Sequence, residues 1–244
     1  MEPITNLLEN LILTSPKECI TLTYDCNECK DIEWLVIDGA AKPCKCQSVK
    51  RQKYIIERSG LSEIFRQKTF DNFEVGRPEK IIKALHMCKR YADNFELIRR
   101  ERNNSIALLG QAGCGKTHLL LAILNRLMSE SVGVCYMQYR EEMTKLKQCI
   151  TDAENYQNSI SRFKTVPVLM IDDLYKGKIT ESDVNIMFEI INHRYIKNLP
   201  MMISSEKSME SILEVDEGIG SRIYEMCKGR IVELRGKELS FRYA

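Results

Sequence analysis

Residues Gly110-Gln111-Ala112-Gly113-Cys114-Gly115-Lys116-Thr117 match the pattern G-x-x-x-x-G-K-[ST]. The preceding run, residues 105–109, is short and apolar and predicts a buried strand, whereas residues 118–128 are almost wholly apolar and predict a buried helix. Strand, glycine loop and helix together are the context in which this pattern holds the phosphates of a nucleotide. The stretch therefore predicts an α/β fold with a nucleotide-binding loop. A glycine-rich turn that binds nothing is the alternative.

The residue types in this loop fit phosphate chemistry. Glycines let several backbone N–H groups point at one phosphate, and the helix N-terminus adds a favourable dipole. Lys116 can reach the β- and γ-phosphates, and the Thr117 hydroxyl can ligate Mg²⁺.

A second predicted strand, residues 166–171, ends in Asp172-Asp173. The carboxyl ends of parallel strands line the ligand crevice of an α/β sheet, so this pair is the expected second half of the site. Asp172 would hold Mg²⁺, usually through water, and Asp173 would orient or activate the attacking water. The alternative is an Asp pair that caps a turn. About 55 residues separate Thr117 from Asp172, which leaves room for the extra strand at 132–137 and favours an ATPase.

Cysteines are paired before the α/β region, as Cys26-x-x-Cys29 and Cys44-x-Cys46. Two close pairs that flank a short excursion predict a structural Zn²⁺ site with four thiolate ligands. Cys19 is an alternative fourth ligand, and four unligated thiols are the alternative to zinc.

Composition limits the class of protein. The chain has 244 residues, 44% of them hydrophobic and 29% charged, with a net charge of +2. These values predict a globular protein without an overall basic charge. We see no apolar run of about 18 residues, so no membrane span is expected. Ten cysteines outside any disulfide pattern favour a reducing, cytoplasmic location. We predict a zinc module at 1–58, a linker at 59–75 and an ATPase domain at 76–244.

Several segments together resemble the replicative-helicase loaders of the DnaC/DnaI type, a branch of the AAA+ ATPases. The resemblance covers nearly the whole chain. The matching segments are Cys26, Cys29, Cys44 and Cys46, the box Thr69-Phe70-Asp71-Asn72-Phe73, the phosphate loop with His118, Ile171-Asp172-Asp173-Leu174, Ile191-Asn192-His193-Arg194-Tyr195, Ser204-Ser205-Glu206 and Gly220-Ser221-Arg222-Ile223.

The resemblance implies an AAA+ core without a separate helical lid and ATP as the nucleotide. It also implies an N-terminal module that binds a hexameric replicative helicase. Self-association through the ATP site and binding of single-stranded DNA are the remaining implications. It assigns nucleotide contacts to Gly110, Gln111, Ala112, Gly113, Cys114, Gly115, Lys116, Thr117, His118 and Arg242. It assigns catalysis to Lys116, Asp172, Asp173, Ser205 and Arg222. Arg222 resembles the arginine finger that completes a neighbour's site, and Arg242 resembles the second sensor.

Three features depart from the family pattern. Cys114 lies inside the phosphate loop. Asp173 stands where many AAA+ proteins have Glu, and its side chain is one methylene shorter. The first sensor is often Asn or Thr; we favour Ser205 here, with Ser204 and Glu206 as alternatives.

Two other functions fit parts of the sequence. An IstB-type ATPase that assists transposition shares the core, but such proteins do not usually carry the cysteine module. A small-molecule kinase would need an arginine-rich substrate lid, which we do not find.

Overall fold

Five parallel strands form the central sheet, in the order β4-β5-β6-β3-β7. The structure, a computed structural model, describes residues 24–37, 39–73, 78–236 and 239. The sheet strands are β3 (Ile106–Gly110), β4 (Val134–Gln138), β5 (Val168–Asp172), β6 (Met201–Ser205) and β7 (Ile231–Leu234). Every residue of β3, β5 and β6 is buried, as expected for parallel strands covered on both faces.

Helices cover the two faces of this sheet. Successive residues of a strand point to opposite faces, and accordingly Ile106 and Leu108 belong to one apolar cluster whereas Ala107 and Leu109 belong to the other. The helices are α1 (Lys45–Arg58), α2 (Glu63–Arg66), α3 (Glu79–Asp93), α4 (Phe95–Ile98), α5 (Lys116–Ser129), α6 (Tyr139–Gln148), α7 (Ala153–Thr165), α8 (Glu181–Ile196), α9 (Met209–Val215) and α10 (Glu217–Met226).

The predicted AAA+ fold class is confirmed. Helices α9 and α10, which follow β6, pack onto each other, and α10 packs onto α8. They place Ile212, Ile219 and Ile223 in the same core cluster as the sheet. They are therefore part of the core and do not form a separate lid.

The described part of the chain divides into two compact units, the first ending at Ser48 and the second beginning at Val49. In the first unit, β1 (Trp34–Ile37) and β2 (Ala40–Pro43) form an antiparallel hairpin in which Trp34 lies opposite Pro43. Apolar residues at helical spacing over 4–13 predict a helix that either packs on its own domain or binds a partner. Residues 4–13, Cys19 and Arg242 lie outside the described residues.

The segment predicted as a linker packs against the second unit. Leu61 and Phe73 are buried in the apolar cluster that holds α3 and α5. The backbone N–H of Tyr136 donates to the carbonyl of Ser59 at 2.7 Å, so this segment covers part of the outer edge of β4. Covering an edge strand removes unpaired backbone groups from solvent.

The sequence predicts one long amphipathic helix over residues 79–100 and polar helical structure over residues 140–161, and both are interrupted. Residues 79–100 form α3 and α4, because Asn94 leaves helical geometry at φ −107° and ψ 16°. Residues 140–161 fall into α6 and α7, and the Asp152 side chain caps α7 by accepting from the N–H of Asn155.

Candidate functional site

The glycine loop joins β3 to α5, as predicted. Gly110 and Gly115 have φ of +130° and +86°, a region that residues with a Cβ rarely adopt. A Cβ on Gly110 would lie 2.1 Å from the carbonyl oxygen of Leu234, and one on Gly115 would lie 2.9 Å from the Phe73 ring. Both positions therefore require glycine. The loop ends at the start of α5, where the first backbone N–H groups of the helix have no partner within the helix.

Lys116 is 5% exposed and points back into the loop. Its ammonium donates to the carbonyl oxygens of Gly110 at 2.8 Å and Gln111 at 2.7 Å. Both acceptors are neutral backbone carbonyls, and they hold the ammonium at the centre of the loop. A phosphate in this position would meet the helix N-terminus and the ammonium together.

Asp172 lies beside Thr117, and this brings the two halves of the predicted site together. The Thr117 hydroxyl donates to Oδ1 of Asp172 at 2.8 Å. Ser204 donates to the same oxygen at 2.5 Å, and Tyr136 donates to Oδ2 at 2.9 Å. Hydroxyl and carboxylate oxygens are ligands that Mg²⁺ accepts, so the donor set fits the predicted metal.

Tyr136 is a site residue that the sequence reasoning missed. Burial, and then the charge of Asp172, raise the pKa of its phenol above the usual range, so the group remains a hydrogen-bond donor. It orients the carboxylate from β4. A hydroxyl in the otherwise apolar run 132–137 was the signal in the sequence.

Asp173 is held in an ion pair. Its backbone is left-handed, with φ +56°, and its N–H donates to Ser204 Oγ at 2.8 Å. Its carboxylate accepts from Lys176 at 2.7 Å, and Lys176 also contacts Glu206 at 3.0 Å. The hydrogen bond to Asp173 is the main reason that the pKa of Lys176 is raised.

The three candidates for the first sensor lie in different environments. Ser204 contacts both Asp172 and Asp173, whereas Glu206 contacts Lys176. Ser205 is fully buried, donates to the carbonyl of Leu174 at 2.7 Å and accepts from the N–H of Lys207. The structure thus brings Ser204, and not the hydroxyl of Ser205, to the acidic pair.

The remaining loop residues brace the site. The Gln111 amide exchanges hydrogen bonds with the backbone of Gly236. His118 Nε2 lies 2.9 Å from the carbonyl of Thr69 and 3.0 Å from Oδ1 of Asn72. The predicted Thr69–Phe73 box therefore contacts the first turn of α5. Cys114 is fully buried and donates to the carbonyl of Gln111, and Ala112 is half-buried.

Arg222 lies on α10, and its hydrogen bonds connect it to α8 and not to the phosphate loop. It donates to the carbonyl of Gly218 at 2.6 Å and to Oδ1 of Asn192 at 3.1 Å. Its guanidinium carbon is 5.2 Å from the ring centroid of Phe188 and 5.3 Å from that of Tyr195. Neutral acceptors and aromatic faces fix the orientation of the group.

The four predicted cysteines converge in the first unit. Their sulfurs all lie within 4.8 Å of one another, with 3.7 Å between Cys26 and Cys44 and 3.3 Å between Cys29 and Cys46. Tetrahedral zinc with Zn–S bonds of about 2.3 Å places its sulfurs about 3.8 Å apart, so the cluster could hold zinc. Burial raises the pKa of Cys29, but hydrogen bonds from Cys46, the Glu33 backbone and the other two thiols outweigh it and lower that pKa to about 7.

These observations define a class of protein, the AAA+ ATPases with a phosphate loop. Residues 64–228 match the family of the bacterial DnaA ATPase domain, and the chain belongs to this family.

Two relatives come from Bacillus subtilis (strain 168). The uncharacterized protein YqaM is 38% identical over 250 residues, covering 98% of this chain and 78% of YqaM. The phage-like element PBSX protein XkdC is 38% identical over 237 residues, covering 93% of this chain and 88% of XkdC.

Solved structures share the fold. DnaI has a TM-score of 0.58 at 22% identity, covering 74% of this chain and 94% of its own. The DnaC helicase loader has a TM-score of 0.60 at 20% identity, covering 71% of this chain and 100% of its own. The resemblance to DnaC/DnaI-type proteins is thus confirmed. In the part of the chain that the structure describes, no helix is both long and apolar enough to cross a bilayer.

Proposed function

We propose that this protein is an ATP-dependent loader that places a hexameric replicative helicase on single-stranded DNA. The main support for ATP binding and hydrolysis is the contact between Thr117 and Asp172 beside the buried Lys116. Three observations support a role with the helicase. They are the family, the fold shared with the DnaC helicase loader and the cysteine cluster that precedes the phosphate loop in the chain.

Each residue of the site has a defined task in this proposal. Lys116 and the loop N–H groups bind the β- and γ-phosphates of ATP. Thr117 and Asp172 hold Mg²⁺, which neutralises charge on the phosphates. Asp173 orients the attacking water after its carboxylate leaves Lys176. Ser204 contributes a hydroxyl that fixes Asp172, and Arg222 completes the site of a neighbouring copy.

The test of the loader function is the mass of a mixture with the replicative helicase encoded in the same genome. Size-exclusion chromatography with light scattering would compare ATP with ADP. We expect a complex of several copies on a helicase hexamer that depends on the nucleotide. If neither nucleotide gives a complex with zinc-loaded protein, the loader proposal is wrong, and a transposition partner becomes the next candidate.

If the cysteine cluster holds zinc, the purified protein should contain that metal. We expect about one zinc per chain in protein purified without chelator, and loss of that zinc in Cys29→Ser. Structural zinc contributes on the order of 10 kcal/mol to small modules, so the variant should also become sensitive to proteolysis within residues 24–48. Elemental analysis and limited proteolysis measure the two effects.

The matched control is Cys149→Ser, because Cys149 is a half-buried thiol outside the cluster. It should keep its zinc. Wild-type protein that contains no zinc and titrates with four reactive thiols in the cluster would contradict the assignment.

A further inference from the structure

A groove of about 700 Å³ lies between α3, α4 and the turn that precedes β7. Its walls include residues 101 and 103, just before β3, and residues 228–230, just before β7. These are the amino ends of parallel strands, whereas the phosphate loop follows a carboxyl end. The groove is therefore separate from the ATP site and lies at the opposite end of the sheet.

Positive charge dominates the groove. Lys83, Arg90, Lys228 and Arg230 line it, and Glu101 is the acidic residue among the lining side chains. Glu101 pairs with Arg230 at 2.9 Å, and Lys83 pairs with Glu79 at 2.6 Å. Within the described ranges, Arg90 and Lys228 have no ion pair. Both are exposed, so two uncompensated cations face one recess.

Backbone contacts hold the positions of these two cations. The Asn94 amide donates to the carbonyl of Arg90 at 2.9 Å, and the Asn103 amide donates to the carbonyl of Lys228 at 3.1 Å. The two segments are thus fixed, and their exposed cations line the groove. Two cations held along one open groove suit an anion that repeats along a chain, because each can contact a different phosphate.

The other lining residues indicate which anion. Two aromatic rings line the groove: Tyr91, which is 1% exposed with its hydroxyl bonded to the carbonyl of Asn104, and the exposed imidazole of His86. The buried face of Tyr91 gives a base nothing to stack on and gives a protein partner no aromatic anchor. The charges and the open shape fit contact through phosphates.

We propose that Arg90 and Lys228 bind the phosphodiester backbone of DNA in this groove, without dependence on the base sequence or on ATP. The proposal rests on the loader function in one respect only, namely that the protein binds DNA. A strand held here lies away from the ATP site, so the protein can keep hold of DNA while nucleotide exchanges.

The test is DNA affinity measured against salt in the full-length protein without nucleotide. Fluorescence anisotropy would use a labelled oligothymidylate and a labelled duplex. For Arg90→Ala/Lys228→Ala we expect the slope of log K against log salt to fall by about 1.4 on single strands or 1.8 on duplex, since each phosphate contact contributes about 0.7 or 0.9. A change on one form of DNA and not the other identifies the natural ligand.

A second double variant is the matched control. Arg51→Ala/Lys53→Ala removes the same charge from the exposed face of α1 and should leave the slope unchanged. Arg90→Lys/Lys228→Arg keeps both charges and should keep the wild-type slope of log K against log salt. ATP turnover, measured in parallel, should be the same in the groove variant and the wild type, so a failure of the loader proposal is recognised separately. An unchanged slope in Arg90→Ala/Lys228→Ala, or an equal fall in the control, would overturn the proposal.

Discussion

Arg222→Ala is expected to reduce ATP turnover of the assembled protein by about 10³-fold or more, the usual contribution of an arginine that acts on a neighbour's phosphates. In its own subunit Arg222 contacts Asn192 and Gly218 and no residue of the phosphate loop. ATP affinity of the separate subunit should therefore stay at the wild-type level. Turnover with DNA or helicase present, and nucleotide binding without them, measure the two quantities.

Mixing two inactive variants distinguishes action between subunits from action within one. Lys116→Ala lacks a working loop but keeps Arg222, whereas Arg222→Ala keeps the loop. Interfaces that combine the Arg222 of one with the loop of the other are complete, so we expect the mixture to regain part of the wild-type rate.

Arg126→Ala serves as the control for loss of an arginine. Arg126 forms an exposed pair with Glu130, and we expect wild-type turnover. A mixture that stays inactive, or Arg222→Ala with full turnover in the assembly, would show that Arg222 is not the finger.

Arg194→Met is expected to give the largest loss of stability. Arg194 is fully buried on α8, and its guanidinium donates to five backbone carbonyls that belong to Phe163, Lys164, Val166, Pro167 and Pro200. These carbonyls lie at the end of α7 and just before β5 and β6. Each unsatisfied buried acceptor costs about 1–3 kcal/mol, so the free energy of unfolding should fall by at least about 3 kcal/mol.

For a protein of this size, that loss lowers Tm by roughly 6–12 °C. Denaturant and thermal unfolding both measure it, and Met keeps most of the buried volume. Arg162→Ala is the control, because that arginine is 46% exposed in its pair with Glu142 and should cost less than about 1 kcal/mol. If the free energy of unfolding of Arg194→Met lies within 1 kcal/mol of the wild-type value, the carbonyls accept hydrogen bonds from other donors in the variant.

Local patterns in the sequence were enough to predict the phosphate loop, the strands and the cysteine cluster. The loop between Gly110 and Thr117 depends on backbone freedom and on a following apolar helix, and both are properties of adjacent residues. The cysteine pairs likewise predict a metal site, because their spacing brings two thiols together in each half. Strands β4 (Val134–Gln138) and β5 (Val168–Asp172) overlap the runs predicted as strands, residues 132–137 and 166–171.

Helix limits were less predictable. The apolar pattern of residues 79–100 shows no break at Asn94, where the backbone nevertheless leaves helical geometry. The break before α7 coincides with Asp152, whose side chain caps that helix, so an N-cap residue type was the available signal there.

The sequence by itself determined which chemistry this protein carries: a phosphate loop, a pair of carboxylates at a strand end and four thiols. Tertiary structure alone decided which side chains meet. β6 lies between β3 and β5 in the sheet although it follows both in the chain, and this places Ser204 against Asp172 while Ser205 turns to the backbone. It also brought Tyr136 to Asp172, Lys176 to Asp173, and Asn192 to Arg222. The reason is that spacing along the chain fixes neighbours within a turn, whereas contacts over tens of residues depend on strand order and helix packing.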